Sequence, residues 1–363
     1  MAGPDDKGRP VSRRTVLGGG LAAALAWTTV ACGGGKAGQS EAKSGVTTAQ
    51  PRTTGTPSRS PAKPPVDPAS VKANELGLVP VLMYHRITPT VTGEYDRSPE
   101  DFRAELQRIF AEGYRPVRTI DLVRGQLDVP AGTTPVVLSF DDGYPDQFRY
   151  TPDGKIDPTC GIGILFDVAR QFPDCRPVAS MNINKSPFGL SDPAKVKAGL
   201  TDLDKRGIEV ANHTYGHDNL SKLDPESIQK DFVLLQRLVH DAVPGAAVRT
   251  MALPFGVWSK DRGLTHTGSY DGESYTNEGI LLVGANPSPS PFSAKFDPLQ
   301  IPRIRSTSYG NGKIPMTTTY WLDYLKAKPG QRYISAGNPG KVTFPKALAA
   351  TLAPTLAGKA NPY

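Results

Sequence analysis

The stretch Val136-Val137-Leu138-Ser139-Phe140-Asp141-Asp142-Gly143-Tyr144 decides how this 363-residue chain is read. Val136 to Phe140 carries no charge and reads as a buried strand, which stops at two adjacent carboxylates followed by Gly143. Side chains at the carboxyl ends of barrel strands converge on one face, so an Asp-Asp pair there points to acid–base or metal chemistry. Asp-Asp-Gly is also ordinary turn chemistry, and this stretch alone leaves both readings open.

A partner lies in Gly207-Ile208-Glu209-Val210-Ala211-Asn212-His213-Thr214-Tyr215-Gly216-His217. Ile208 to Ala211 reads as a second strand running into His213 and His217, four positions apart. A helical turn starting at His213 would put both imidazoles on one face, the spacing at which two can reach one ion. Two neutral histidines and one carboxylate with an open position form a common catalytic metal set. A lone histidine at a strand end would read as structural; a spaced pair beside an acid reads otherwise.

Ser139-Phe140-Asp141-Asp142-Gly143, His213-Thr214-Tyr215-Gly216-His217 and Leu253-Pro254-Phe255-Gly256, in that order, resemble the first three motifs of polysaccharide deacetylases of the NodB-homology type, carbohydrate esterase family 4. The resemblance spans roughly residues 78 to 310. Upstream, Val81-Leu82-Met83-Tyr84-His85-Arg86 is similar to the first strand of the bacterial branch that includes poly-N-acetylglucosamine deacetylases. The resemblance implies a distorted β/α barrel, in an α/β chain. It implies one divalent metal on Asp142, His213 and His217, with zinc first and cobalt, nickel or manganese also admitted by such ligands. It assigns Asp141 as general base and the Phe255 N–H as a donor to the developing oxyanion. Two positions depart from the family pattern. Ala252 stands where an arginine usually tunes the catalytic aspartate, leaving Arg249, Arg303 or Arg305 as candidate cations. Leu299-Gln300-Ile301-Pro302 lacks the histidine that usually protonates the leaving amine. His85, at a strand end, is the first candidate acid in its place, followed by His266 and by Asp141 returning its proton.

Strands and amphipathic helices alternate on either side of these motifs, the pattern of a β/α barrel. Ser98-Pro99-Glu100-Asp101 opens a helix whose apolar face is Phe102, Leu106, Ile109 and Phe110. Pro225 to Ala242 forms another through Ile228, Phe232, Leu235 and Val239. Strands are expected at 79–84, 114–117, 134–140, 208–211, 250–253 and 279–283. Residues 145–175 read as an insertion holding Cys160 and Cys175; a disulfide between them and a buried reduced pair both stay open, with an oxidising compartment favouring the bridge.

Composition is that of an ordinary globular protein, 38% hydrophobic and 21% charged. The net charge of +7 is uneven: residues 1–75 hold ten basic and five acidic side chains, 10 − 5 = +5, leaving 7 − 5 = +2 for the remainder. With no basic stripe in the domain, nucleic acid is not an expected partner. Ser12-Arg13-Arg14-Thr15-Val16-Leu17 resembles a twin-arginine export signal, and Thr29-Val30-Ala31-Cys32 a lipobox with Cys32 as the lipidated residue. The expected domains are a lipoprotein signal at 1–32, a disordered Pro/Ser/Thr/Gly-rich linker at 33–74, a catalytic domain at 75–345 and a C-terminal tail at 346–363.

These readings together imply an exported monomer, lipid-anchored at the outer face of a bacterial membrane. It would remove N-acetyl groups from an amino-sugar polysaccharide. An O-acetyl esterase on a glycan such as acetylxylan, or a catalytically inactive carbohydrate-binding lipoprotein, are the alternatives. Tyr144, Trp258 and Tyr309 are the aromatics expected to line a glycan groove.

Overall fold

The computed structural model describes residues 66–363. The export signal, Cys32 and the linker up to residue 65 lie outside the described residues. Eight parallel strands form the central sheet: β1 Val81–Tyr84, β2 Tyr114–Val117, β3 Thr134–Asp142, β4 Ser180–Ile183, β5 Glu209–Asn212, β6 Thr250–Ala252, β7 Gly279–Leu281 and β8 Ile304–Arg305. Their order is β7-β6-β5-β4-β3-β1-β8, with β2 paired to the first half of β3. Ile301, just before β8, bridges Leu281 of β7 in parallel, so the curled sheet meets itself. Helices cover its outside, chiefly α1 Pro99–Ala111, α2 Thr119–Val123, α3 Gly161–Ala169, α4 Pro193–Lys205, α5 Pro225–Ala242 and α6 Thr318–Ala327.

Period-two alternation along β3 sorts its side chains. Val136, Leu138 and Phe140 join an outer core with Phe102, Leu106, Ile109 and Phe110 of α1 and Ile162, Leu165 and Val168 of α3. Val137 belongs to a separate cluster with Val81, Ala252, Leu281 and Ile301, which packs the amino-terminal half of the barrel. Ser139 and Asp141 follow in the same phase, buried but polar. The barrel is thus apolar at one end and hydrophilic where β3 terminates. The helix cap read from the sequence holds, Ser98 accepting from the Asp101 N–H, and Asp224 caps α5 in the same way, accepting from the Ser227 N–H.

Several expectations are corrected. Residues 145–175 are no surface insertion, because α3 within them is a core helix. Cys160 and Cys175 are free thiols and not a disulfide. They flank the nine residues of α3 at opposite ends. Burial pushes both thiols up, Cys175 to about 12. The folded part also starts earlier than residue 75: Ala73, Asn74 and Glu75 are buried, and the Glu75 carboxylate accepts from the Ala336 and Thr343 N–H groups. Residues 346–363 are no free tail, since Ala360–Pro362 pairs with Val342–Phe344 and the Tyr363 hydroxyl donates to the Ala73 carbonyl.

Candidate active site

Consecutive residues of a regular strand point to opposite faces, so Asp141 and Asp142 should not share a site. They do because Asp142 adopts φ +74°, followed by Gly143 at φ +66°. That left-handed turn costs a non-glycine residue of order 1 kcal/mol and swings the Asp142 carboxylate over the barrel mouth. There its Oδ1 lies 3.3 Å from His213 Nε2 and 3.0 Å from His217 Nε2.

The two histidines are not on a helix. His213 closes β5, donating its N–H to the Ile183 carbonyl, and the chain then turns through Thr214 and His217, both with positive φ. Side chains stabilise the turn: Asn212 Oδ1 accepts from the Thr214 N–H, Thr214 Oγ1 from the His217 N–H, and Asp231 from the Gly216 N–H. A compact loop, and not the one-face spacing of a helix, brings the imidazoles together with ring centroids 4.8 Å apart.

His213 Nδ1 lies 2.8 Å from the Ala252 carbonyl. A carbonyl only accepts, so Nδ1 carries the hydrogen and Nε2 is left to bind an ion. Asp142, His213 and His217 each offer a ligand atom, all within 4.8 Å of one another. One carboxylate and two imidazoles suit a divalent ion of the zinc type. Burial would raise the Asp142 pKa, but hydrogen bonds from His213 and His217 outweigh it and hold the carboxyl far below its ordinary range. Burial would lower the His213 pKa, but the Asp141 charge and the Asp142 hydrogen bond push it above 6.5. An ion bound at Nε2 would therefore compete with a proton that these neighbours favour. Zinc affinity should rise with pH through the neutral range, by about tenfold per pH unit for each proton displaced. Calorimetry in buffers of different ionisation heat should register proton release, and a pH-independent affinity would contradict the ligand set.

Asp141 is held differently. Its Oδ1 accepts from Arg303 Nη1 at 2.7 Å and from Asn182 Nδ2 at 2.9 Å. Its Oδ2 lies 3.8 Å from His85 Nε2. Arg303 is the largest of the fully buried side chains, and it also donates to Ser139 Oγ and the Leu282 carbonyl. Burial alone would raise the Asp141 pKa; Arg303 and the neighbouring imidazoles reverse this and keep the carboxyl below its ordinary range. Burial lowers the His85 pKa, against the pull of Asp141 and Asp142, so its imidazole rests neutral at pH 7.

Of the three candidate cations, only Arg303 reaches the aspartate. Arg249 lies near Glu278, and Arg305 pairs with Glu94 and stacks on Tyr95. His266 is bound to the Asn277 carbonyl outside the cleft. The cleft itself, about 360 Å³, holds Asp141 and the Asp142–His213–His217 cluster, and Arg86, Tyr95, Tyr144, Leu253, Phe255 and Val283 are among the residues that line it. Phe255 sits at φ +58° with its side chain 64% exposed, its ring 4.8 Å from that of His217. Of the three expected groove aromatics, Tyr144 lines the cleft, beneath Arg86. Trp258 lies elsewhere under Arg262, and Tyr309 is exposed outside the lining. Asn182 and Tyr95 were not anticipated. Asn182 was visible only as the inward position of a strand that polar neighbours disguise.

Residues 178–266 match the polysaccharide deacetylase family, a span that includes both histidines and Phe255. Over 131 residues the chain is 30% identical to a chitooligosaccharide deacetylase of Bradyrhizobium sp., covering 36% of this chain and 50% of that protein. A chitooligosaccharide deacetylase of Sinorhizobium fredii is 38% identical over 56 residues, 15% of this chain and 26% of that one. The chain thus matches half or less of the length of these curated relatives. Among solved structures, Streptococcus pyogenes deacetylase PplD in complex with acetate superposes with a TM-score of 0.50 at 17% identity, over 68% of this chain and 97% of that one. That likeness shows the shared barrel fold.

Proposed function

We propose, for a chain similar in sequence to polysaccharide deacetylases and sharing their barrel, that it hydrolyses N-acetyl groups on an amino-sugar polysaccharide in a divalent-metal-dependent reaction. The observation that carries this reading is the Asp142–His213–His217 cluster beside an aspartate kept ionised by a buried arginine. The relatives named for chitooligosaccharide deacetylation support an N-acetylglucosamine polymer as the substrate class.

Asp142, His213 and His217 would hold the ion, zinc being the best match to two imidazoles and a carboxylate. An ion bound there supplies Lewis acidity, which polarises an acyl carbonyl and acidifies water. Asp141 accepts the proton of the attacking water at Oδ2, because Oδ1 is already occupied by Arg303 and Asn182. The amide nitrogen must gain a proton before the C–N bond breaks: the proton that Asp141 takes from water passes from Oδ2 to the neutral His85 Nε2, 3.8 Å away, and from there to the leaving amine, which returns both groups to their starting state. The Phe255 N–H is assigned to the carbonyl oxygen as charge builds there. Leu253 and Val283 offer an apolar wall that suits the acetyl methyl. Export, lipidation at Cys32 and attachment to a bacterial membrane belong to the same proposal.

The test is acetate release from chitooligosaccharide, poly-N-acetylglucosamine and peptidoglycan by the purified protein. Release from at least one should disappear on chelation and return with zinc. Folded, metal-loaded protein that releases acetate from none would overturn the amidase reading and favour O-acetyl ester hydrolysis or glycan binding without turnover.

A further inference from the structure

One fully buried side chain joins the two strand ends that carry His85 and Asp141. The β1–β3 ladder runs from Val81 opposite Val137 to Tyr84 opposite Phe140 and stops there. His85 and Asp141 occupy the next rung. Gln147 takes it over: its Nε2 donates to the backbone carbonyls of both residues. An amide nitrogen has two hydrogens, so donors match acceptors one for one. Gln147 is 0% exposed, and no solvent competes for those bonds.

Its surroundings hold it rigid. The Gln147 N–H donates to the Tyr144 carbonyl, and its own carbonyl accepts from the Ile162 N–H at the start of α3. The preceding residue grips the same segment of β1's exit, since the Asp146 carboxylate accepts from the Ile87 N–H at 3.1 Å and from Arg86 Nε. Residues 146 and 147 therefore clamp residues 85–87 against the end of β3, through the main chain of His85, Ile87 and Asp141 and through the Arg86 side chain.

We infer that Gln147 is a positioning residue that sets the spacing between His85 and Asp141, on which proton delivery to the leaving group depends. The inference rests on the proposed roles of His85 and Asp141. A purely structural role would lower stability and leave turnover per folded molecule unchanged.

Gln147→Met removes both donors at nearly constant volume. It should lower kcat on the preferred N-acetylated substrate by about 10- to 100-fold, the sensitivity expected for a misplacement near 1 Å. KM should stay within about twofold and bound zinc should not change. In a His85→Ala background the same substitution should have almost no further effect on kcat, because both changes remove one function. Its crystal structure should show the His85 Nε2 to Asp141 Oδ2 distance lengthened from 3.8 Å. Should the methionine variant not fold, Gln147→Asn keeps the amide but shortens its reach, and the same measurements apply. Unchanged kcat, additive losses with His85→Ala, or an unaltered 3.8 Å spacing would each overturn the inference. If the wild-type protein releases no acetate, the proposed reaction fails, and the crystal spacing alone still decides the role of Gln147.

Discussion

Asp141→Asn should lower acetate release by about 10²- to 10⁴-fold, the usual worth of a general base, with zinc content unchanged. The substitution is nearly isosteric. The asparagine carbonyl can still accept from Arg303 and Asn182, as Oδ1 does now, while an amide NH₂ replaces the free Oδ2. What disappears is the basic lone pair facing the cleft. Zinc should remain because Asp142, His213 and His217 are untouched. Single-turnover acetate release together with metal analysis separates the two effects. Near-normal turnover with zinc bound would remove Asp141 from the role of base.

Arg303→Met should be the most damaging single change to stability, costing about 3–5 kcal/mol at pH 7, the range for breaking one side of a buried ion pair. Arg303 is 0% exposed and Asp141 1%, so no water enters to replace the guanidinium. In the wild type the depressed Asp141 pKa contributes stability above the unfolded carboxyl range, which is lost as pH falls through the folded value. In the variant only the neighbouring imidazoles and the Asn182 donor still oppose burial, so that pKa rises and ionised Asp141 becomes the liability. The stability gap should therefore narrow on acidification, first above the ordinary carboxyl range as the variant's Asp141 takes up its proton, and further below about pH 4 as the wild type loses its contribution. Adding Asp141→Asn should recover part of the loss at neutral pH. Denaturant melts across pH test this, and a gap that stays constant or widens on acidification would show that Arg303 acts through packing alone.

Much of the fold was legible in sequence because the strongest signals are local. The uncharged run before Asp141, the capped helix after Ser98 and the long apolar face of Pro225 to Ala242 each report their own conformation. Where the sequence misled, tertiary context decided. His213 and His217 have helical spacing, yet side-chain hydrogen bonds to Asn212 and Thr214 stabilise a positive-φ turn instead. Residues 145–175 looked like an insertion because turn residues surround α3, which is only nine residues long. Arg303 was one of three interchangeable arginines by sequence. Only strand register, with β8 laid beside β1, shows which one enters the barrel. Asn182 and Gln147 carry no motif at all: their roles exist only in the contacts between segments distant along the chain.

The position of Asp67–Gly77 has a consequence for how the enzyme would face its substrate. This segment runs into β1 at the amino-terminal end of the barrel, where Asn74 pairs with Ile334 and Leu78 with Arg332, while the cleft opens at the carboxyl ends of the strands. The described chain thus enters at the base of the barrel, and substrate of the proposed reaction would have to come to the opposite end.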